Sequence, residues 1–169
     1  MKKLRQYKIG IYGLSVGEHT FSFEYDEEFF AIFENSLISK GKGTCHVDLI
    51  KSASMVTLTM KIEGVIGLTC DRSLEPFDYA VDASQELIYK FGDEDKELSD
   101  NMFVIRKDTQ EVNIGRFLYE FISLEIPMKK LHPRFHDENE TDELIYSSNK
   151  NDEKDKDIDP RWEALKKLK

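Results

Sequence analysis

Apolar and polar positions alternate along most of the first 110 residues, and the phase of that alternation outlines a sheet. Tyr7, Ile9 and Ile11 alternate with Lys8, Gly10 and Tyr12, and Phe21, Phe23 and Tyr25 alternate with polar neighbours. Residues 7–12 and 18–25 therefore predict a pair of strands, with Gly13 and Gly17 bracketing the turn between them. From Glu27 to about Ile38 the period lengthens, and Phe29, Phe30, Ile32, Phe33 and Leu37 suit one face of a helix. A loop at Gly41-Lys42-Gly43 leads into a strand with Cys45, Val47 and Leu49 on one face. Val56, Leu58, Met60, Ile62, Ile66, Leu68 and Cys70 then fall on even positions and keep their phase through Gly64, which predicts a long strand bent at that glycine. The odd positions Phe77, Tyr79, Val81, Leu87, Tyr89 and Phe91 describe its antiparallel return after a turn at Ser73–Pro76.

Gly92 to Asp100 reads as an acidic loop and Met102–Arg106 as a short strand. Ile114, Phe117, Leu118, Phe121, Ile122 and Glu125 trace a helix face, with Asn113 as its cap and Pro127 as its stop. Near the end, Asp159-Pro160 is a good helix start, because a carboxylate accepts from free backbone N–H groups and proline at the first position gives up no hydrogen bond. Trp162, Leu165 and Leu168 come next on one side. The expected fold class is α+β, a twisted, mainly antiparallel sheet with two packed helices and a short C-terminal helix on a flexible acidic linker. The expected division is one domain over 1–136, the linker over 137–158 and an amphipathic helix over 159–169.

Composition narrows the class. A chain of 169 residues with 40% apolar content has enough to bury one core. Two cysteines cannot build a disulfide framework. No apolar stretch approaches the ~18–20 residues that span a bilayer, and no apolar signal core follows Met1-Lys2-Lys3-Leu4-Arg5, so a soluble cytoplasmic protein with no membrane partner is expected. The net charge of −9 is unevenly spread: residues 137–159 hold ten acids and three lysines, while the other 146 residues hold 23 acids and 21 bases. A nearly neutral body with an acidic strap remains compatible with nucleic acid.

No catalytic constellation stands out. The glycines at 10, 13 and 17 are spaced for hairpin turns and do not form a phosphate-cradling loop, and four histidines lack a local nucleophile signature. The protein is expected to be no enzyme, with no cofactor and no small-molecule substrate. His132 and His136, with Cys45 and Cys70, would make a reasonable tetrahedral zinc set, but both cysteines continue apolar strand faces and suit small buried hydrophobes better. The cations say more. Lys129, Lys130, His132, Arg134 and His136 occupy eight positions, a cluster able to meet a few phosphates, with Phe135 as a stacking surface. The alternative is a solvated loop whose charges attract the acidic strap. Trp162 calls for burial, either against its own domain or in a partner's groove; its own domain is favoured because the linker keeps the effective concentration high.

Cys70-Asp71-Arg72-Ser73-Leu74, the run Glu120-Phe121-Ile122-Ser123-Leu124-Glu125-Ile126-Pro127, and the ending Asp159-Pro160-Arg161-Trp162-Glu163-Ala164-Leu165-Lys166-Lys167-Leu168 together resemble the YceD family, the large ribosomal RNA subunit accumulation proteins. The resemblance implies a non-enzymatic ribosome biogenesis factor that supports accumulation or maturation of large-subunit ribosomal RNA, and it brings no catalytic residues. Family members commonly carry C-x-x-C-L at the strand end, where this chain has Cys70 and Ser73. The RNA- or partner-binding residues expected are Arg72, Lys129, Lys130, His132, Arg134, Arg161 and Trp162, facing large-subunit RNA or a pre-ribosomal particle. The competing expectation is a protein-interaction module that holds a basic ribosomal protein through the acidic segment without touching RNA.

Overall fold

The computed structural model describes residues 2–34 and 36–135. After a 3₁₀ turn at Lys2–Tyr7, the strands are β1 (Lys8–Gly10), β2 (Gly17–Tyr25), β3 (Gly41–Lys51), β4 (Met55–Thr69), β5 (Pro76–Gly92), β6 (Lys96–Ser99), β7 (Met102–Arg106) and β8 (Glu111–Asn113). The helices are α1 (Glu27–Phe30) and α2 (Gly115–Leu124). Six strands form one sheet in the order β2-β3-β4-β5-β7-β6, antiparallel at every step except β5–β7. β1 and β8 form a separate antiparallel ladder. The fold is thus α+β and mainly antiparallel, as the alternation predicts. Among the described residues no helix is long and apolar enough to cross a membrane.

The centre of the fold follows the even–odd pattern. β4 and β5 pair without a break from Met55↔Lys90 to Thr69↔Pro76. Val56, Leu58, Met60, Ile62, Ile66 and Leu68 are buried along β4, with Val81, Leu87 and Tyr89 beside them on β5. Each such side chain contributes about 1.5–3 kcal/mol by leaving water. α1 lies against β3 and α2 against β5, burying Phe29, Phe30, Leu118 and Ile122 over the same face. The N-cap of α2 is Ile114, one residue later than expected and without a side-chain cap bond, while Asn113 just before it accepts the Gly115 N–H on its side-chain oxygen at 2.9 Å.

Four local expectations are corrected. Residues 7–12 do not pair with 18–25: β1 pairs with β8, and Ile11 N–H donates to the Gln110 carbonyl at 2.9 Å. The Lys51 ammonium donates to the carbonyls of Ile11 and Leu14, both at 2.8 Å, so the intervening loop is held open across β3 and no tight hairpin forms. The helix over 27–38 stops at Phe30, where Ala31 ends it, and farther on the Ser36 hydroxyl bonds the backbone of Ile38 in place of a helical turn. Gly41–Gly43 belong to β3. The acidic loop after Gly92 contains β6, an edge strand exposed along its length.

The glycines of β3 and β4 have a packing reason. Tyr25 is 2% exposed and pairs with Gly43, which pairs in turn with Gly64. A Cβ at Gly43 would overlap the Tyr25 ring and the Glu63 carbonyl, and one at Gly64 would overlap the Tyr25 hydroxyl and the Lys42 carbonyl. The ring therefore lies directly on bare backbone, filling space that the sheet leaves empty. Burial pushes its phenol up to about 12, so the hydroxyl keeps its proton and donates to the Glu63 carbonyl at 3.4 Å. Tyr25 meets Phe30 edge-on at 5.8 Å, Phe30 meets Tyr119 of α2 at 6.5 Å, and Phe33 stacks on Tyr119 at 4.0 Å. One aromatic chain thus ties the β2–β3–β4 corner to both helices. Gly43→Ala and Gly64→Ala are each expected to cost at least the ~1–3 kcal/mol of an overpacked core. Gly10→Ala, where nothing lies within 4 Å of a new Cβ, should stay within about 0.5 kcal/mol. Urea denaturation of the three variants checks the contrast.

Candidate nucleic-acid interface

The chain leaves α2 at Leu124 and, past Pro127, lays residues 128–135 across the turn that joins β4 to β5. The contact is a two-way clasp between Asp71 and Lys130. Asp71 N–H donates to the Lys130 carbonyl at 2.8 Å, and Lys130 N–H donates to Asp71 Oδ2 at 2.8 Å. Farther along, His132 N–H donates to Cys70 Sγ at 3.3 Å and the imidazole lies 5.8 Å from the Phe77 ring. The turn is tight: Cys70 N–H reaches the Glu75 carbonyl at 2.9 Å, and Leu74 N–H returns to the Cys70 carbonyl at 2.9 Å. Leu74 adopts φ 58, left-handed backbone that costs a non-glycine residue on the order of 1–2 kcal/mol.

Arg72, Lys129, Lys130, His132 and Arg134 are thereby gathered on one tip. The same clasp brings carboxylates that the basic run does not reveal. Lys130 Nζ lies 3.5 Å from Asp71 Oδ1, and Arg134 pairs with Glu75. These are half-exposed pairs, of the kind worth at most about 1 kcal/mol. They hold the cations in place without closing them off from a competing anion. Asp71 and Glu75 flank Arg72 in sequence, and that neighbourhood is the signal that would have pointed to them. Arg72 and Lys129 are exposed. His136, Arg161, Trp162, the acidic segment and the terminal helix lie outside the described residues.

Cys70 anchors the turn from inside. It has no accessible surface. Burial is the largest single influence on its thiol and raises its pKa. The nearby Ser73 hydroxyl and hydrogen bonds from the backbone N–H groups of Ser73, His132 and Arg72 together outweigh it, bringing the group from 9.0 down to about 7. The Ser73 oxygen is buried without a well-formed hydrogen bond of its own, so an ionised sulfur gives it the partner it lacks. Cys45, in contrast, is pushed up to about 12 by burial. It faces the core from the middle of β3 opposite Ile62. From Ile62 to Cys70 is roughly 25 Å of strand, so the two cysteines cannot share one ion. His132 Nδ1 already accepts the Arg134 N–H at 3.2 Å.

The folded-state pKa of Cys70 lies below its unfolded value. The stability it contributes is fully present above about pH 9 and is lost as pH falls through about 7. The urea midpoint of the wild type should therefore rise from pH 7 to pH 9, with a flatter profile in Cys70→Ser. Ultraviolet thiolate absorbance of the native protein should show one group ionising near pH 7, lost in Cys70→Ser and moved upward in Ser73→Ala.

A family model described as Large ribosomal RNA subunit accumulation protein YceD matches residues 58–169, a span that takes in most of β4, the Cys70 turn, α2 and the segment clasped against it. No curated protein and no solved structure matches the chain. Its matched span covers well over half of the sequence, and the chain belongs to the YceD family of large ribosomal RNA subunit accumulation proteins.

Proposed function

We propose that this protein supports the accumulation of large-subunit ribosomal RNA by binding RNA or a pre-ribosomal particle through the tip where residues 128–135 cross the β4–β5 turn. The observation that carries the reading is the clasp between Asp71 and Lys130, which assembles cations from two distant parts of the chain on one small surface. Phosphate oxygens are the natural ligands for such a set, and contacts with them release counterions.

The rest of the sheet supports the same location by exclusion. On the face turned away from the core, Glu18, Glu24, Asp48, Glu63, Asp82 and Glu86 outnumber Lys42, Lys61 and Lys90, and β2 to β5 present no Phe, Tyr or Trp there, His46 being their one aromatic ring on that side. Glu63 and Asp82 stand directly opposite each other. Sheets that bind single-stranded RNA do so by stacking bases on aromatic side chains, and this face offers repulsion instead. The ribosomal role comes from the family, and the tip is where the chemistry of the described residues can serve it.

Sucrose-gradient fractionation of lysate at low and moderate salt tests the reading. The tagged protein should travel with large-subunit precursors at low salt and leave them as salt rises. The double variant Arg72→Ala/Lys129→Ala should shift to the top of both gradients. In binding assays with precursor RNA it should lower the salt slope by about two. A wild-type protein that stays at the top of both gradients, or a double variant that travels as the wild type does, would overturn the assignment.

A further inference from the structure

α2 carries more apolar surface than the core uses. At about 100° per residue, Ile114, Leu118 and Ile122 point into the core, where all three are buried. Phe117, Phe121 and Leu124 occupy the adjoining arc. Phe117 and Phe121 are half-buried, and Leu124 is 73% exposed. A ladder of rings runs outward along this arc: Tyr89 to Phe103 at 5.6 Å, Phe103 to Phe117 at 5.2 Å, and Phe117 to Phe121 at 6.4 Å. It ends in an open groove of about 510 Å³ between α2 and the β6–β7 edge. The rim is acidic. Glu97, Asp100 and Glu120 border the groove against the guanidinium of Arg116, which already donates to Glu120 at 2.6 Å.

We propose that this groove docks a basic amphipathic helix of a partner protein, with apolar anchors seated on Phe117, Phe121 and Leu124 and lysines or arginines facing Glu97 and Asp100. An apolar floor within a charged rim suits a helix presenting anchors at i and i+3 or i+4, and the surplus of carboxylates sets the sign of its polar face. The same carboxylates disfavour two other occupants. RNA would meet net negative charge. A second copy placing its own α2 against this one would bring Glu97, Asp100 and Glu120 against their equivalents, which disfavours a two-fold contact. The proposal does not rest on the RNA reading. β7 pairs with residues 88–92 of β5, the end remote from the cationic turn that precedes Pro76.

The test uses the full chain and a fluorophore-labelled synthetic helix of Leu, Trp and Lys, with a twin in which Glu replaces Lys, read by fluorescence anisotropy. The Lys peptide should bind and the Glu twin should not. Leu124→Asp and Asp100→Lys should each weaken binding tenfold or more, while Arg72→Ala/Lys129→Ala leaves it unchanged; circular dichroism verifies that every variant is folded. Leu124→Asp is the decisive variant because it adds negative charge. If the peptide were held by charge alone, as by the acidic segment over 137–158, this substitution would leave binding intact or strengthen it, and the proposal would fall. Absence of binding by the Lys peptide would also overturn it. So would a wild-type dimer in sedimentation that Leu124→Asp dissociates, which would assign the groove to a second copy.

Discussion

The structure turns on the ring of Tyr25 resting on two paired glycines. Neither Gly43 nor Gly64 has room for a methyl group, so the sheet at that corner is bare backbone, and the tyrosine supplies the packing that two side chains would otherwise provide. The consequences run outward through touching rings. Tyr25 sets Phe30, and Phe30 with Phe33 sets Tyr119, which places α2 against β5. The chain that leaves α2 then has only eleven residues, 125–135, in which to reach the β4–β5 turn and close over it. A contact at one corner of the sheet thus governs where the cations at another end are delivered.

Charge is sorted on the described surface. The outward sheet face is acidic, the β4–β5 tip collects lysine, arginine and histidine, and the groove beside α2 combines exposed aromatic surface with a carboxylate rim. Because salt screens charges beyond about 8–10 Å, regions this distinct can meet different ligands in one particle without cancelling each other. A factor for ribosomal RNA accumulation works where RNA and basic proteins are present together, and a body with one cationic tip and one acidic groove suits such a setting.

Much of the framework is legible in the amino-acid sequence. The even positions of β4 and the odd positions of β5 point to the core as their alternation demands, because a pleated strand has no other way to put every second side chain on one side. Asn113 and Pro127 bound α2 through local backbone chemistry, and the cations of the tip stand out as a run. Other features depend on partners far along the chain. β1 carries a clear strand pattern, yet its partner is β8 and not its neighbour, since alternation specifies a face and says nothing about which edge it will meet. Gly41 and Gly43 resemble a loop until the Phe30 ring is seen against the first and the Tyr25 ring against the second. Lys130 and Arg134 resemble unopposed cations until Asp71 and Glu75 are brought beneath them, and Ser73 acquires its role only beside the sulfur of Cys70.

Period, capping and composition, all properties of the sequence alone, determined the α+β class, the long central hairpin, the second helix, the acidic segment and the basic run, and the motifs determined the family. Folding in three dimensions settled what those pieces do to one another. It chose the strand partners, shortened α1 to a single turn, converted a basic run into a clasped tip with its own carboxylates, and left one arc of α2 uncovered by the described residues. The physical reason is common to all of these. Local pattern encodes which side of an element avoids water, whereas pairing, ion balance and exposed surface depend on which distant residues arrive there.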